Sequence, residues 1–161
     1  MVSETVLGWQ FTQLSNNIKS VESIVRMTDP QALTTYRDTG IGWTALQVLC
    51  HLRDFEQVFT DRAHIAVEQE NATLPFPSPD DLARDRHYNE QSVDAVLAEW
   101  KTRRADFIVY LRERSAADWE RTALHPTRGI LTLLEQLFLA TLHDTTHLEQ
   151  MTRILNEKRL S

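Results

Sequence analysis

The strongest constraint on this chain is an apolar stripe of helical period that recurs four times along it. Residues 4 to 26 place Leu7, Phe11, Leu14, Ile18, Val21 and Val25 at steps of four and three in alternation, the spacing at which a helix turns one apolar face toward a core. Ser3 is placed to cap this helix. Thr44 and Gln47 form a capping box that opens a second, with Val48, Leu52, Phe55, Phe59 and Ala66 on one face out to about Glu70. A third runs from about Ser92 to Arg114 and carries Val93, Leu97, Trp100, Phe107 and Leu111. The fourth opens on another capping box, Thr132 with Glu135, and continues to about Glu157. Amphipathic helices bury their stripes against one another, so the expected fold is all-α, a four-helix bundle forming a single domain over residues 1–161.

The intervening segments fit that architecture. Asp29-Pro30 interrupts the first stripe, because proline disfavours helix in the residue before it, and a short turn and loop should lead on to Gly42-Trp43. Residues 71–90 hold Pro75, Pro77 and Pro79 in alternation, which favours an extended, polyproline-like crossover. At about 3.1 Å per residue such a segment spans the length of a helix, so the second and third helices can run parallel. Ala117-Asp118-Trp119 reads as a short turn. Only 4 glycines and 5 prolines occur in 161 residues, as expected of a chain with few turns.

Composition narrows the function classes. With 17 Lys and Arg against 23 Asp and Glu the formal charge is −6, which disfavours nucleic acid as a partner. No apolar run reaches membrane-spanning length, and the N-terminus has no basic start followed by an apolar run, so neither a membrane nor a secretory signal is expected. The single cysteine, Cys50, has no internal disulfide partner, and a reducing, cytoplasmic location is the simplest expectation.

The chemistry rests on histidine. His143 and His147 lie four apart in LHDTTHLEQM; at 100° per residue a step of four turns only 40° and rises about 6 Å, so both imidazoles leave one face of the fourth helix. His147 falls within the arc of Leu133, Leu137, Ala140, Met151 and Ile154, with His143 on its shoulder. His51 interrupts the apolar face made by Val48, Phe55 and Val58 on the second helix. Three inward imidazoles satisfy their nitrogens economically by sharing a metal ion, and Zn²⁺, Ni²⁺ and Fe²⁺ all suit such ligands. The plainer alternative is open at this point, since two histidines at this spacing also occur on solvated faces. Asp144 stands where an HExxH motif has its glutamate, so no metalloprotease-type base is supplied locally.

Two stretches, GWTALQVLCHLRDFEQ and LTLLEQLFLATLHDTTHLEQMTRIL, resemble the DinB/YfiT-like superfamily of metal-binding four-helix bundles. The likeness covers nearly the whole chain, including DWERTALHPTRGILTL before the last helix. It implies a divalent metal held by one histidine of the second helix and two of the fourth, which carries onto His51, His143 and His147. Some members of that superfamily are metal-dependent transferases or isomerases that use low-molecular-weight thiols, so the resemblance implies thiol-dependent chemistry as the most concrete expectation.

Other residues stand near this constellation. Arg104 occupies a core-type position between Trp100 and Phe107, where it would meet either a carboxylate partner or the anionic group of a substrate, or else snorkel to solvent. Asp54 and Asp144 are rotated 60° and 100° from His51 and His143, positions that suit carboxylates orienting an imidazole rather than binding metal. Cys50 is expected to be a packed small residue, Trp43 to pack at a helix entrance, and Gln47 and Gln150 either to touch a metal-bound water or to join a polar network. His64, His87 and His125 are expected in solvated or locally hydrogen-bonded roles. Three functions remain in play: a metal-dependent thiol transferase or hydrolase acting on a small molecule, a non-catalytic metal- or ligand-binding stress-response protein, and a bundle whose histidines are structural. Apolar flanks on a small bundle make a homodimer the expected assembly.

Overall fold

Each stripe folds as a long helix in the computed structural model, which describes residues 2–157. Helix α1 spans Glu4–Met27, α3 Ala45–Glu68, α5 Val93–Arg112 and α6 Leu133–Glu157, while two short helices, α2 (Pro30–Thr35) and α4 (Pro79–Asp85), lie in the connections. Both capping boxes form. Gln47 N donates to Thr44 Oγ1 at 3.2 Å and Thr44 N to Gln47 Oε1 at 2.9 Å, and Thr132 and Glu135 exchange the equivalent pair at 3.1 and 2.7 Å.

The order of contacts along the helices gives their directions. On the α3–α5 seam Arg53 pairs with Glu99 and, further along, His64 stacks on Tyr110, so these two helices run parallel, as the crossover length allows. Helix α6 is antiparallel to α3, meeting it as His147 and His143 against His51 and then His143 against Phe59. Helix α1 is antiparallel to α5, with Leu14 against Arg104 and Glu22 against Lys101. The result is a four-helix bundle with a parallel pair joined by a long crossover. Its core holds Leu14, Val21, Leu49, Leu52, Leu97, Trp100, Leu137 and Met151, each no more than 1% exposed.

Three connections differ from their sequence expectation. The stretch expected as turn and loop after Asp29 begins with α2, because Asp29 caps it by accepting from Gln31 N and Pro30 suits its first turn. The crossover is extended only at its start, where Leu74 N and Leu124 N make 2.8 Å bonds to Leu124 O and Ala72 O. From Pro79 it becomes α4, because Ser78 caps that helix, proline suits its first turn, and Asp80 and Asp81 complement its dipole. Between α5 and α6 lies a β-hairpin, β1 (Thr122–His125) paired antiparallel with β2 (Gly129–Thr132). Gly129 supplies the positive φ of 82° that its turn requires. No helix among the described residues is long and apolar enough to cross a membrane.

Candidate metal centre

The antiparallel meeting of α3 and α6 brings His51, His143 and His147 together, with one ring nitrogen of each within 4.8 Å of the other two. His51 Nε2 and His143 Nε2 are 2.9 Å apart, and the His51 and His147 ring centres 4.5 Å. Aromatic rings wall the cluster: Phe55 stacks on His143 at 5.3 Å, Phe59 meets the same ring edge-on at 5.2 Å, and Trp43 lies 5.1 Å from His51. This wall leaves His51 Nδ1 and His143 Nδ1 buried without hydrogen-bond partners.

Burial in that apolar wall disfavours the charged imidazole. It pulls the His51 pKa down to about 2, with the neighbouring His143 and His147 acting in the same direction. His147 falls to about 4, again chiefly by burial, with His143 adding to the shift and Gln150 opposing it. Both are therefore neutral near pH 7, each with a lone pair to offer. Three imidazoles whose nitrogens converge on one point, two of them neutral and two outer nitrogens left bare, suit a divalent cation of the zinc, nickel or iron type.

A polar network of loop and helix fixes one of the three. His147 Nδ1 bonds Gln150 Oε1 at 2.8 Å, and Gln150 Nε2 donates to Asp38 Oδ2 at 2.9 Å. Asp38 also pairs with Arg153. Burial works against the Asp38 charge, but Gln150 and Arg153 hold its pKa below the usual carboxylate range. Of the two roles open to Gln150, the network is the one formed. Asp38 lies in the loop before α3, and no periodicity in the sequence points to it.

The expected orienting carboxylates are placed differently. Asp54 does not face His51: its oxygens accept from Arg53 Nε at 2.8 Å and Tyr88 Oη at 2.6 Å, and pair with Arg86 at 2.9 Å. Its step of three from His51 turns it toward α4 and the following loop instead. Asp144 Oδ1 is 3.9 Å from His143 Nδ1, beyond hydrogen-bond reach, and Asp144 Oδ2 accepts from Arg104 at 2.7 Å. Burial would raise the Asp144 pKa, but Arg104, with His143 adding to it, holds it below the ordinary value.

Arg104 points inward, but to carboxylates. Its Nε and Nη2 bind Glu56 at 2.8 and 2.5 Å, and its Nη1 serves both Asp144 and the Leu14 carbonyl at 2.9 Å. Four of its five N–H donors are thereby occupied, leaving no free edge for a substrate anion. Burial opposes the Arg104 charge and the two carboxylates more than restore it. Glu56 also accepts from Trp100 Nε1 at 3.0 Å. It had a legible signal, since it breaks the Leu49, Leu52, Phe59, Ala63 face of α3 just as Arg104 breaks that of α5.

The remaining candidates take local roles. Cys50 donates to the Tyr88 carbonyl at 3.5 Å, and burial raises its pKa to about 12, so it is a packed thiol. Gln47 is spent on the α3 cap, and Trp43 Nε1 donates to Asp80 at 3.1 Å. His64 bonds Glu68 at 3.0 Å and His87 is exposed. His125, by contrast, is buried, its Nδ1 accepting from Thr127 N at 3.2 Å.

Comparison with known proteins agrees with this fold. A protein of Oceanobacillus iheyensis, named as a candidate metal-dependent hydrolase, is 27% identical over 139 residues, covering 84% of this chain and 77% of that one. YfiT from Bacillus subtilis, described as having an unusual four-helix bundle topology, superposes with a TM-score of 0.88 at 21% identity over 98% of this chain and 90% of its own. A mycothiol-dependent maleylpyruvate isomerase shares the fold at a TM-score of 0.74 and 17% identity over 90% of this chain, which spans only 60% of that protein. The DinB superfamily model matches residues 13–151, most of the chain and all three clustered histidines, and the protein therefore belongs to the DinB superfamily.

Proposed function

We propose that His51, His143 and His147 hold one divalent metal ion and that the protein is a metal-dependent enzyme, most concretely one that transfers a low-molecular-weight thiol onto a small electrophilic substrate. The observation that carries this reading is the convergence of three imidazoles with no carboxylate or thiol beside them among the described residues able to complete the set. Three-ligand sites of this kind leave a position for water or substrate. When bound, such a cation acts as a Lewis acid that lowers the pKa of a ligated water or thiol.

The chain's own residues divide the remaining work. Neutral His51 and His147 present lone pairs at physiological pH. Gln150 and Asp38 hold the His147 ring in register, and a hydrogen-bonded outer partner of this type sets both tautomer and aim. Trp43, Phe55 and Phe59 exclude water and offer an apolar wall to a substrate. Glu56 and Asp144, both tied to Arg104, are unavailable as general bases. That favours a reaction whose nucleophile is activated without a carboxylate, as thiol transfer is. Hydrolysis is the second reading, supported by the name carried by the Oceanobacillus relative.

Elemental analysis of protein purified without an affinity tag should find close to one divalent metal per chain. His51→Ala and His147→Ala should each lose most of it, and full retention in either removes that residue from the ligand set. In Co²⁺-substituted protein an added small thiol should produce a sulfur-to-metal charge-transfer band. A spectrum indifferent to thiols, with turnover of an ester or amide, would favour hydrolysis.

A further inference from the structure

Beyond the histidine cluster, the bundle buries further polar side chains on α3 and α6 and leaves Arg62 Nη2 and both amide atoms of Gln136 without hydrogen-bond partners. Arg62 follows His51 by eleven residues on α3, three turns along nearly the same face, and is 2% exposed. Its Nε donates to the Pro75 carbonyl at 2.9 Å, which ties the crossover to α3. Its Nη2 is buried with no hydrogen-bond partner. Phe59 and Phe76 cover the guanidinium at 5.6 and 5.9 Å, a partial compensation for lost water. The charged neighbour acting on it is another cation: burial first, then Arg128, brings its pKa down to about 10, so it remains charged at neutral pH.

Gln136 repeats the pattern on the facing helix. It precedes His143 by seven residues, two turns along the same face of α6. It is 5% exposed, and both Oε1 and Nε2 are buried and unpartnered. Leu133, Leu137 and Ala140 around it share one apolar cluster with Phe59 and Ala63 of α3. At the end of β1, His125 packs edge-on against Phe76 at 5.2 Å, and after burial the fields of Arg62 and Arg128 are what keep its pKa low. Arg62 thus buries its charge with no ion-pair partner among the described residues, an arrangement that is costly unless a ligand supplies the opposite charge.

Phe59 joins this group to the histidines. Its ring is 5.6 Å from Arg62 Cζ and 5.2 Å from the His143 ring, so guanidinium and imidazole lie together within about 11 Å. We propose that Arg62, with Gln136, forms an anion subsite that seats the carboxylate of a short-chain organic acid whose other end reaches the histidine cluster. A carboxylate matches the single positive charge and gives both the free Nη2 and the Gln136 amide an oxygen to bind. The identity of the reacting end rests on the metal reading above; the subsite itself does not require metal.

Two thiols of equal length test it in the Co²⁺-loaded protein. Mercaptopropionate should bind roughly tenfold or more tightly than mercaptopropanol, as a charged hydrogen-bonded pair contributes, read from the sulfur-to-cobalt band. Arg62→Met should erase that preference without weakening the alcohol. Equal affinities in the unmodified protein, or a preference that survives Arg62→Met, overturn the subsite. If neither thiol gives a band, the thiol reading fails instead, and the subsite is then decided in metal-free protein. There propionate should raise the unfolding temperature more than chloride at equal ionic strength, and should lose that advantage in Arg62→Met; equal effects of the two salts overturn the proposal. Should Arg62→Met fail to fold, Gln136→Leu carries the same comparisons.

Discussion

Arg104 is the residue at which inward charge is most concentrated, and its neighbours define what its loss would do. Arg104→Met would strand Glu56 and Asp144, which are 1% and 2% exposed, as buried carboxylates without their cation. Breaking a buried ion pair from one side costs about 3–5 kcal/mol, and a fall of that order in unfolding free energy should appear in urea titrations. Replacing Glu56 by Gln in the same background should recover part of the loss, because one unpaired charge is then removed. At the metal centre, Asp38→Ala should keep the fold but weaken metal binding by less than the about 10–100-fold typical of losing a histidine ligand's direct outer partner, because Asp38 reaches His147 only through Gln150. Chelator competition on wild type and variant checks this. An unchanged affinity would mean that Gln150 alone fixes the His147 ring.

At the scale of elements, the caps and connections decide where the histidines are held. Thr44 closes the N-terminus of α3 two turns before His51 and also reaches Asn89 with its hydroxyl at 2.5 Å, so one side chain locks the helix start to the segment before α5. Thr44→Ala should cost about 1–2 kcal/mol, the range for a lost N-cap, seen as a lower midpoint in denaturant. The hairpin between α5 and α6 depends on Gly129, whose φ of 82° disfavours any side chain. Gly129→Ala should cost about 1 kcal/mol and should leave metal affinity unchanged, since no cluster histidine lies on the hairpin. These two measurements separate helix placement from hairpin integrity.

For the whole molecule, stability should follow pH through the buried histidines. His51 and His147 have folded-state pKa values of about 2 and about 4, below the value of about 6.5 for an unfolded chain. The unfolded chain therefore binds more protons below about pH 6.5, and the stability that these neutral rings contribute is complete above that pH and is lost as pH falls to about 4 for His147 and on to about 2 for His51. Thermal unfolding of metal-free protein should show a declining midpoint across that window, with a shallower decline in His51→Leu. Divalent metal should raise the midpoint at pH 7, because it binds the folded state alone, and its effect should fade on acidification as protons compete for the same nitrogens.

Periodicity by itself determined the four long helices, because a stripe such as Leu7 to Val25 has only one way to become buried, and capping boxes such as Thr44 with Gln47 fix where helices begin. It also placed His51, His143 and His147 inward, since a residue in the phase of a core face shares the fate of that face. Tertiary structure alone decided the rest. The four-residue spacing of His143 and His147 is local, but His51 reaches them only because α6 runs antiparallel to α3. Asp38 lies 112 residues from its partner Gln150, and nothing local in either segment anticipates the contact. Asp54 kept its predicted helix but turned to Arg53, Tyr88 and Arg86, because a carboxylate goes to the cations and donors that the fold brings within reach. No spacing in the sequence singles out Arg62 or Gln136; only the packing of the helices and the crossover leaves Arg62 Nη2 and the Gln136 amide buried without hydrogen-bond partners. Phase along a helix is a property of the chain, whereas the partner of a polar group depends on which helices meet.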